Sequence, residues 1–128
     1  MKMKTVFIAA LAFSLSACND ANNVVGPNDS IAGEYALRTV NGSPLPFTFS
    51  DGTTVSSDVL TLFVDGTFSE SFQMPDGRVF VDQGFYTANN GALTFTDQTI
   101  GVTYSGSISG SVLTEIFPNG LTEVFQRR

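Results

Sequence analysis

Three glutamates stand among apolar neighbours at strand-like spacing in this 128-residue chain. Glu70 lies between Phe68 and Phe72, Glu115 between Leu113 and Phe117, and Glu123 between Leu121 and Phe125. Alternate residues of an extended segment share a face, so each carboxyl is flanked by side chains that seek burial. An inward carboxylate there would bind a cationic ligand or act as an acid–base group with a raised pKa. The opposite faces carry Val112, Ile116 and Val124, so either face is compatible with the inside. Carboxylates are seldom buried unless paired, and one near a turn is simply solvated. Arg38 and Arg78 are the mid-chain cations, and Arg78 lies across the Asp76-Gly77 turn from the Glu70 segment. That placement suggests a structural Glu70–Arg78 pair.

Other chemistries have little to build on. The chain has no His, which removes Ser-His and Cys-His nucleophilic pairs and His-based soft-metal sites. Asp51, Asp65, Asp76 and Asp97 all sit at turn positions, where Asp is expected because its side chain caps the turn. None belongs to the Asp-x-Asp-x-Asp-Gly spacing of a calcium loop. An enzyme is therefore not expected, and neither is a metal or cofactor.

The elements that must position these residues are strands. From Ile31 onward the chain is punctuated by Asn41-Gly42, Asp51-Gly52, Asp65-Gly66, Asp76-Gly77, Asn90-Gly91 and Asn119-Gly120. Such pairs accept positive φ at both central positions of a type I′ hairpin turn. Between them lie β-branched and aromatic residues, and no stretch sustains a helical period. The spacing predicts strands near 33–40, 45–50, 57–64, 67–74, 78–88, 92–97, 101–108, 111–117 and 121–127. The second belongs at an edge, because Pro44 and Pro46 cannot donate to a ladder. Uniformly short connections make sequence neighbours antiparallel neighbours. The expected fold is all-β: an antiparallel up-and-down meander of eight or nine short strands, closed into a small barrel to remove its edges.

The N-terminus carries an address. Lys2 and Lys4 precede an uncharged run from Val6 to Ala17, the pattern of a signal peptide. The run is short of the ~20 residues a spanning helix needs. It ends Leu15-Ser16-Ala17-Cys18, with the chain's one cysteine, and this tetrad resembles the bacterial lipobox. The resemblance implies removal of residues 1–17 and lipidation of Cys18, which also explains a lone cysteine in an exported protein. Residues 18–30 then read as lipidated Cys and flexible linker, and 31–128 as the domain. In Gram-negative lipoproteins an Asp after the Cys retains the protein at the inner membrane. Asn19 stands there, which points to the outer membrane, facing the periplasm. Losing Lys2 and Lys4 leaves four arginines against twelve acids, a formal charge of −8. Nucleic acid is thereby disfavoured as a partner.

The first strand reads Gly33-Glu34-Tyr35-Ala36-Leu37-Arg38-Thr39-Val40-Asn41-Gly42, followed by Ser43-Pro44-Leu45-Pro46, and the chain ends Phe125-Gln126-Arg127-Arg128. This is similar to the small bacterial lipocalin-like lipoproteins, which open with Gly-x-Trp/Tyr-x-Leu and close with an aromatic followed by basic residues. The resemblance implies that Gly33, Tyr35 and Arg127 (or Arg128) close one barrel end, the guanidinium packing over the Tyr35 ring. Tyr35 stands where lipocalins carry Trp, and true lipocalins are larger, so a roomy cavity is not implied. Independently, Tyr35, Leu37 and Thr39 share a strand face, as do Phe125 and Arg127.

The function expected is a lipid-anchored, non-enzymatic, monomeric envelope module binding a small apolar or amphipathic ligand, or a protein partner, at one barrel end. The apolar stretch around Leu45, Phe47 and Phe49 marks the mouth or a plug over it, with Glu70 as a polar candidate. The competing reading is a periplasmic inhibitor of a protease or lysozyme, because small lipocalin-like barrels also serve as such inhibitors. A structural envelope protein is a third.

Overall fold

A computed structural model describes residues 28–128. Cys18, the expected signal segment and most of the expected linker lie outside the described residues.

The Asn-Gly and Asp-Gly turns take two forms. Asn41-Gly42 and Asn90-Gly91 have positive φ at both residues, as a two-residue type I′ turn requires. The three Asp-Gly turns and Asn119-Gly120 do not follow that expectation: only the glycine has positive φ. They are longer hairpins of one repeated design. At Phe63–Thr67, for example, Phe63 N–H donates to the Thr67 carbonyl and Gly66 N–H to the Phe63 carbonyl. The Asp65 carboxylate accepts from Thr67 N–H at 2.9 Å. Asp51, Asp76 and Asn119 accept the corresponding N–H of Thr53, Arg78 and Leu121. The side-chain acceptor stabilises a preceding right-handed turn, and glycine then supplies the left-handed residue.

These turns join β1 (Gly33–Val40), β2 (Ser43–Pro44), β3 (Phe47–Thr48), β4 (Thr54–Val55), β5 (Ser57–Leu62), β6 (Thr67–Gln73), β7 (Val79–Asn89), β8 (Ala92–Asp97), β9 (Val102–Ser109), β10 (Val112–Ile116) and β11 (Thr122–Arg127). Strands β5 to β11 pair in sequence order, antiparallel throughout, and β1 bonds to both β5 and β11. The result is an eight-stranded closed barrel with no free edge. The expected strand at 45–50 is reduced to Phe47–Thr48, and another short strand lies just before it. Ser43–Pro44 pairs with the end of β1, while Phe47–Thr48 pairs with Thr54–Val55 as a separate two-stranded piece. The prolines explain the shortening, since neither can donate to a continuous ladder.

Alternation sorts the side chains. Tyr35, Leu60, Leu62, Phe68, Tyr86, Leu93, Phe95, Leu113 and Phe125 are buried inside. Fully burying each such side chain contributes about 1.5–3 kcal/mol. The β1–β11 register shifts between Leu37 and Thr39, so the inward face passes to Val40, fully buried, and not to Thr39. Rings fill the middle: Phe68–Phe95 edge-to-face at 5.4 Å, Phe95–Tyr104 stacked at 5.0 Å, Tyr104–Phe117 stacked at 4.3 Å. Room for them comes from inward positions left bare. A Cβ on Gly84 would lie 2.0 Å from the Thr96 carbonyl and 2.9 Å from the Phe68 ring, and one on Gly106 would lie 2.9 Å from the Phe95 ring.

Candidate functional site

The barrel interior changes along its axis. The end holding Gly33, Leu62 and Asn89, here the lower end, is apolar and aromatic. Toward the upper end, where β1 finishes and β5 begins, acids join the apolar inward positions. Asp58 on β5, Glu70 on β6, Asp97 on β8, Glu115 on β10 and Glu123 on β11 are all buried, none more than 3% exposed. Asp82 on β7 is half-buried beside them.

Register places like charges face to face. Glu70 is directly opposite Asp82, and Glu115 directly opposite Glu123, pairings that destabilise a sheet when both partners are ionised. Asp97 has turn partners, accepting from Thr99 N–H at 2.9 Å and Ile100 N–H at 3.2 Å. The others are poorly satisfied. Both oxygens of Asp58, both of Glu115, one of Glu70 and one of Glu123 are buried without a hydrogen-bond donor. No arginine among the described residues compensates them. Arg78 pairs with Asp76 at 2.7 Å and Arg128 with Glu34 at 3.6 Å, both at the surface. The expected Glu70–Arg78 pair is therefore not formed: Glu70 points into the barrel, whereas Arg78 stays on an exposed hairpin tip.

Burial in low dielectric disfavours the charged form, and neighbouring acids add to it. Burial, then the charge of Asp58, holds the Glu70 carboxyl well above its usual range. Burial, then Glu70, does the same at Glu115. Burial likewise raises Asp58, although its contact with Glu70 opposes the shift. Glu123 is pushed up to about 7 by burial, and Asp82 to about 6 by burial and then Asp97. A proton shared between Asp58 and Glu70, or between Glu115 and Glu123, supplies one donor where otherwise there are only acceptors.

The acids lie below the β2–β4 segment. Leu45, Phe47 and Phe49 are half-buried and pack against the core. The Phe47 and Phe49 rings meet edge-on at 5.0 Å, and Val55, opposite Phe47, is buried. This stretch therefore covers the barrel and presents a partly exposed apolar surface. Beside it the wall opens. Strand β1 bonds to β5 only as far as Ala36–Val59 and then turns to β2. The gap is a groove of about 630 Å³ whose walls include Leu45, Ser57, Asp58 and, at the rim, Arg38 and Arg128. A second groove of about 610 Å³ runs between the 51–54 turn and the protruding β6–β7 hairpin, past Met74, Pro75 and Phe80.

At the lower end Arg127 lies over the Tyr35 ring, 5.7 Å from its centroid. Its guanidinium donates to the Ser30 carbonyl at 2.8 Å and the Ala32 carbonyl at 2.6 Å. The Tyr35 hydroxyl donates to the Ile31 carbonyl at 2.6 Å. Gly33 leaves the space that the guanidinium occupies, a Cβ there lying 3.1 Å from Arg127 Nη2. Arg128 is exposed and takes no part in this packing.

Asp58 and Asp82 are interior acids that the sequence reading does not single out, and Asp97, read there as a turn residue, both caps its turn and lies inside. The signal was the one that picked out Glu70: Asp58 shares a strand face with Leu60 and Leu62, Asp97 with Leu93 and Phe95, Asp82 with Gly84 and Tyr86.

The architecture is that of a lipocalin-like barrel. No protein-family model and no curated protein matches the chain. Among solved structures it is similar to a lipocalin-like protein from Bacteroides uniformis, with TM-score 0.53 and 19% identity over 77% of this chain and 98% of that one. It is also similar to an uncharacterized protein from Bacteroides eggerthii, with TM-score 0.50 and 14% identity over 76% of this chain and 98% of that one. At these identities the likeness defines the fold.

Proposed function

We propose that this chain is a lipid-anchored, non-enzymatic binding module of the bacterial cell envelope. Cys18 carries the anchor, and the domain faces the periplasm as a monomer, held at the outer membrane. The upper end of the barrel takes a small amphipathic guest, its apolar part against Leu45, Phe47 and Phe49 and positive charge directed at the acids beneath. The observation that carries this reading is the set of buried carboxylate oxygens without donors below an apolar, partly exposed cover. A packed core does not gain from such groups, whereas a binding position for positive charge does.

Native mass spectrometry of the lipidated protein from membranes tests the reading. A defined copurifying mass, lost on denaturation and reduced by Glu70→Gln, is the expected result; a bare protein mass counts against it. Cys18→Ala moves the protein from the membrane to the soluble fraction if the anchor is as described.

A second reading has its own support. Val79, Phe80 and Val81 on the protruding hairpin are 54%, 49% and 47% exposed, a concentration of apolar surface that suits a protein partner. The net acidic charge suits a basic one, such as a lysozyme. Loss of lysozyme or protease activity in the presence of the purified protein supports an inhibitor role, and Phe80→Ser relieves that inhibition.

A further inference from the structure

We propose that Asp58, Glu70 and Glu123 together hold a hard divalent cation of calcium size inside the upper half of the barrel. The proposal rests on the reading of the buried acids as a binding position and names what supplies its positive charge.

One carboxylate oxygen from each of the three residues lies within 4.8 Å of the other two. Calcium–oxygen distances of about 2.3–2.6 Å hold neighbouring and opposite ligands roughly 3–5 Å apart, a range that the 4.8 Å limit meets with small side-chain adjustment. Magnesium is a poorer match, because it dehydrates reluctantly and is seldom held by dedicated all-protein sites, whereas these three carboxylates are nearly fully buried. The donors are all oxygen and the chain has no His, which selects hard cations over zinc or copper.

Three strands from different parts of the chain, β5, β6 and β11, converge here, and turn geometry explains none of it. The three residues are 2%, 2% and 3% exposed. Each has at least one oxygen without a donor, and Asp58 has two. Glu115 stands outside the triad, is fully buried, and has both oxygens without a donor. An uncompensated buried cluster of this kind is costly. Three ionised carboxylates around a divalent ion carry a net charge of −1, and Glu115, opposite Glu123, is placed to share a proton with it. Entry is through the groove where β1 leaves β5, because Asp58 forms part of its wall. The remaining ligands of the ion are waters that enter with it.

The test uses the full chain in nonionic detergent, stripped with EDTA and titrated with terbium(III), a calcium-sized luminescent probe. There is no Trp, so tyrosine excitation reports directly. Tyr104, which lies within the field of Glu115 and Glu70, serves as the antenna. Sensitised emission that saturates at one terbium per chain and is displaced by calcium is the expected result, together with a higher melting temperature in calcium. Glu70→Gln and Glu123→Gln each weaken binding by roughly tenfold or more, while Glu34→Gln on the outer surface leaves it unchanged. Because glutamine keeps the shape and brings an N–H donor to the surrounding acceptor oxygens, both variants melt no lower than the parent in EDTA, which separates lost binding from lost fold. Absence of sensitised emission and of a calcium shift overturns the proposal, as does full affinity in Glu70→Gln. Retention of dodecylamine by a chain that ignores both metals overturns the metal assignment alone. Failure with metals and amine overturns the underlying reading as well.

Discussion

At the scale of single residues, the interior acids set the pH dependence. The groups facing one another across the upper interior are Asp58, Glu70, Asp82, Asp97, Tyr104, Glu115 and Glu123. Burial raises Glu123 to about 7 and Asp82 to about 6, with Glu70, Glu115 and Asp58 shifted the same way. The folded state thus keeps protons that the unfolded chain gives up near pH 4, and unfolding favours higher pH across that window. In EDTA the melting temperature is expected to fall as pH rises from 5 to 7.5. A flat or rising profile contradicts burial of the acids. At the other end of the barrel, Arg127→Ala removes two hydrogen bonds to carbonyls and the ring contact with Tyr35. A loss of about 1–3 kcal/mol is expected from denaturant unfolding, whereas Arg128→Ala, at the exposed neighbour, changes little. These two positions separate in the fold although they are adjacent in sequence, because only one faces inward at the end of β11.

At the scale of elements, alternation does most of the sorting, and its lapses are informative. The register shift after Leu37 turns Val40 inward, a change no period-2 count along β1 reveals. Gly84 and Gly106 occupy inward positions where Phe68 and Phe95 need space. Gly84→Ala is expected to cost about 1–3 kcal/mol, as overpacking does, with the same direction for Gly106→Ala, read from urea midpoints at constant slope. The hairpins were legible in kind but not in type. Asp-Gly pairs signalled turns correctly, yet whether a turn has two central residues or three depends on a side-chain hydrogen bond, such as Asp65 to Thr67 N–H. The shortening of 45–50 to Phe47–Thr48 was legible in its cause, the two prolines, and not in its outcome.

At the scale of the whole molecule, closure between β1 and β11 makes the barrel one cooperative unit. It joins Tyr35 to Arg127 and Leu37 to Phe125 across nearly the full length of the domain. Ending the chain after Gly120 removes β11, exposes the edges of β1 and β10, and takes Glu123 and Phe125 from the interior. That truncation is expected to abolish the sigmoidal thermal transition seen by circular dichroism and to favour aggregation through the open edges. The closed sheet also gathers the acids toward the upper end, among buried apolar side chains such as Val40 and Tyr104. Sequence by itself determined the all-β class, the antiparallel order and most strand limits, because turn residues and short-range alternation are local properties. It also marked Glu70, Glu115 and Glu123 as carboxyls on apolar faces. Which face of each strand lies inside was decided only by the tertiary structure. That choice depends on the register of β5, β6, β10 and β11 with neighbours far along the chain, and this long-range pairing is what gathers acids from separate strands at one height in the barrel.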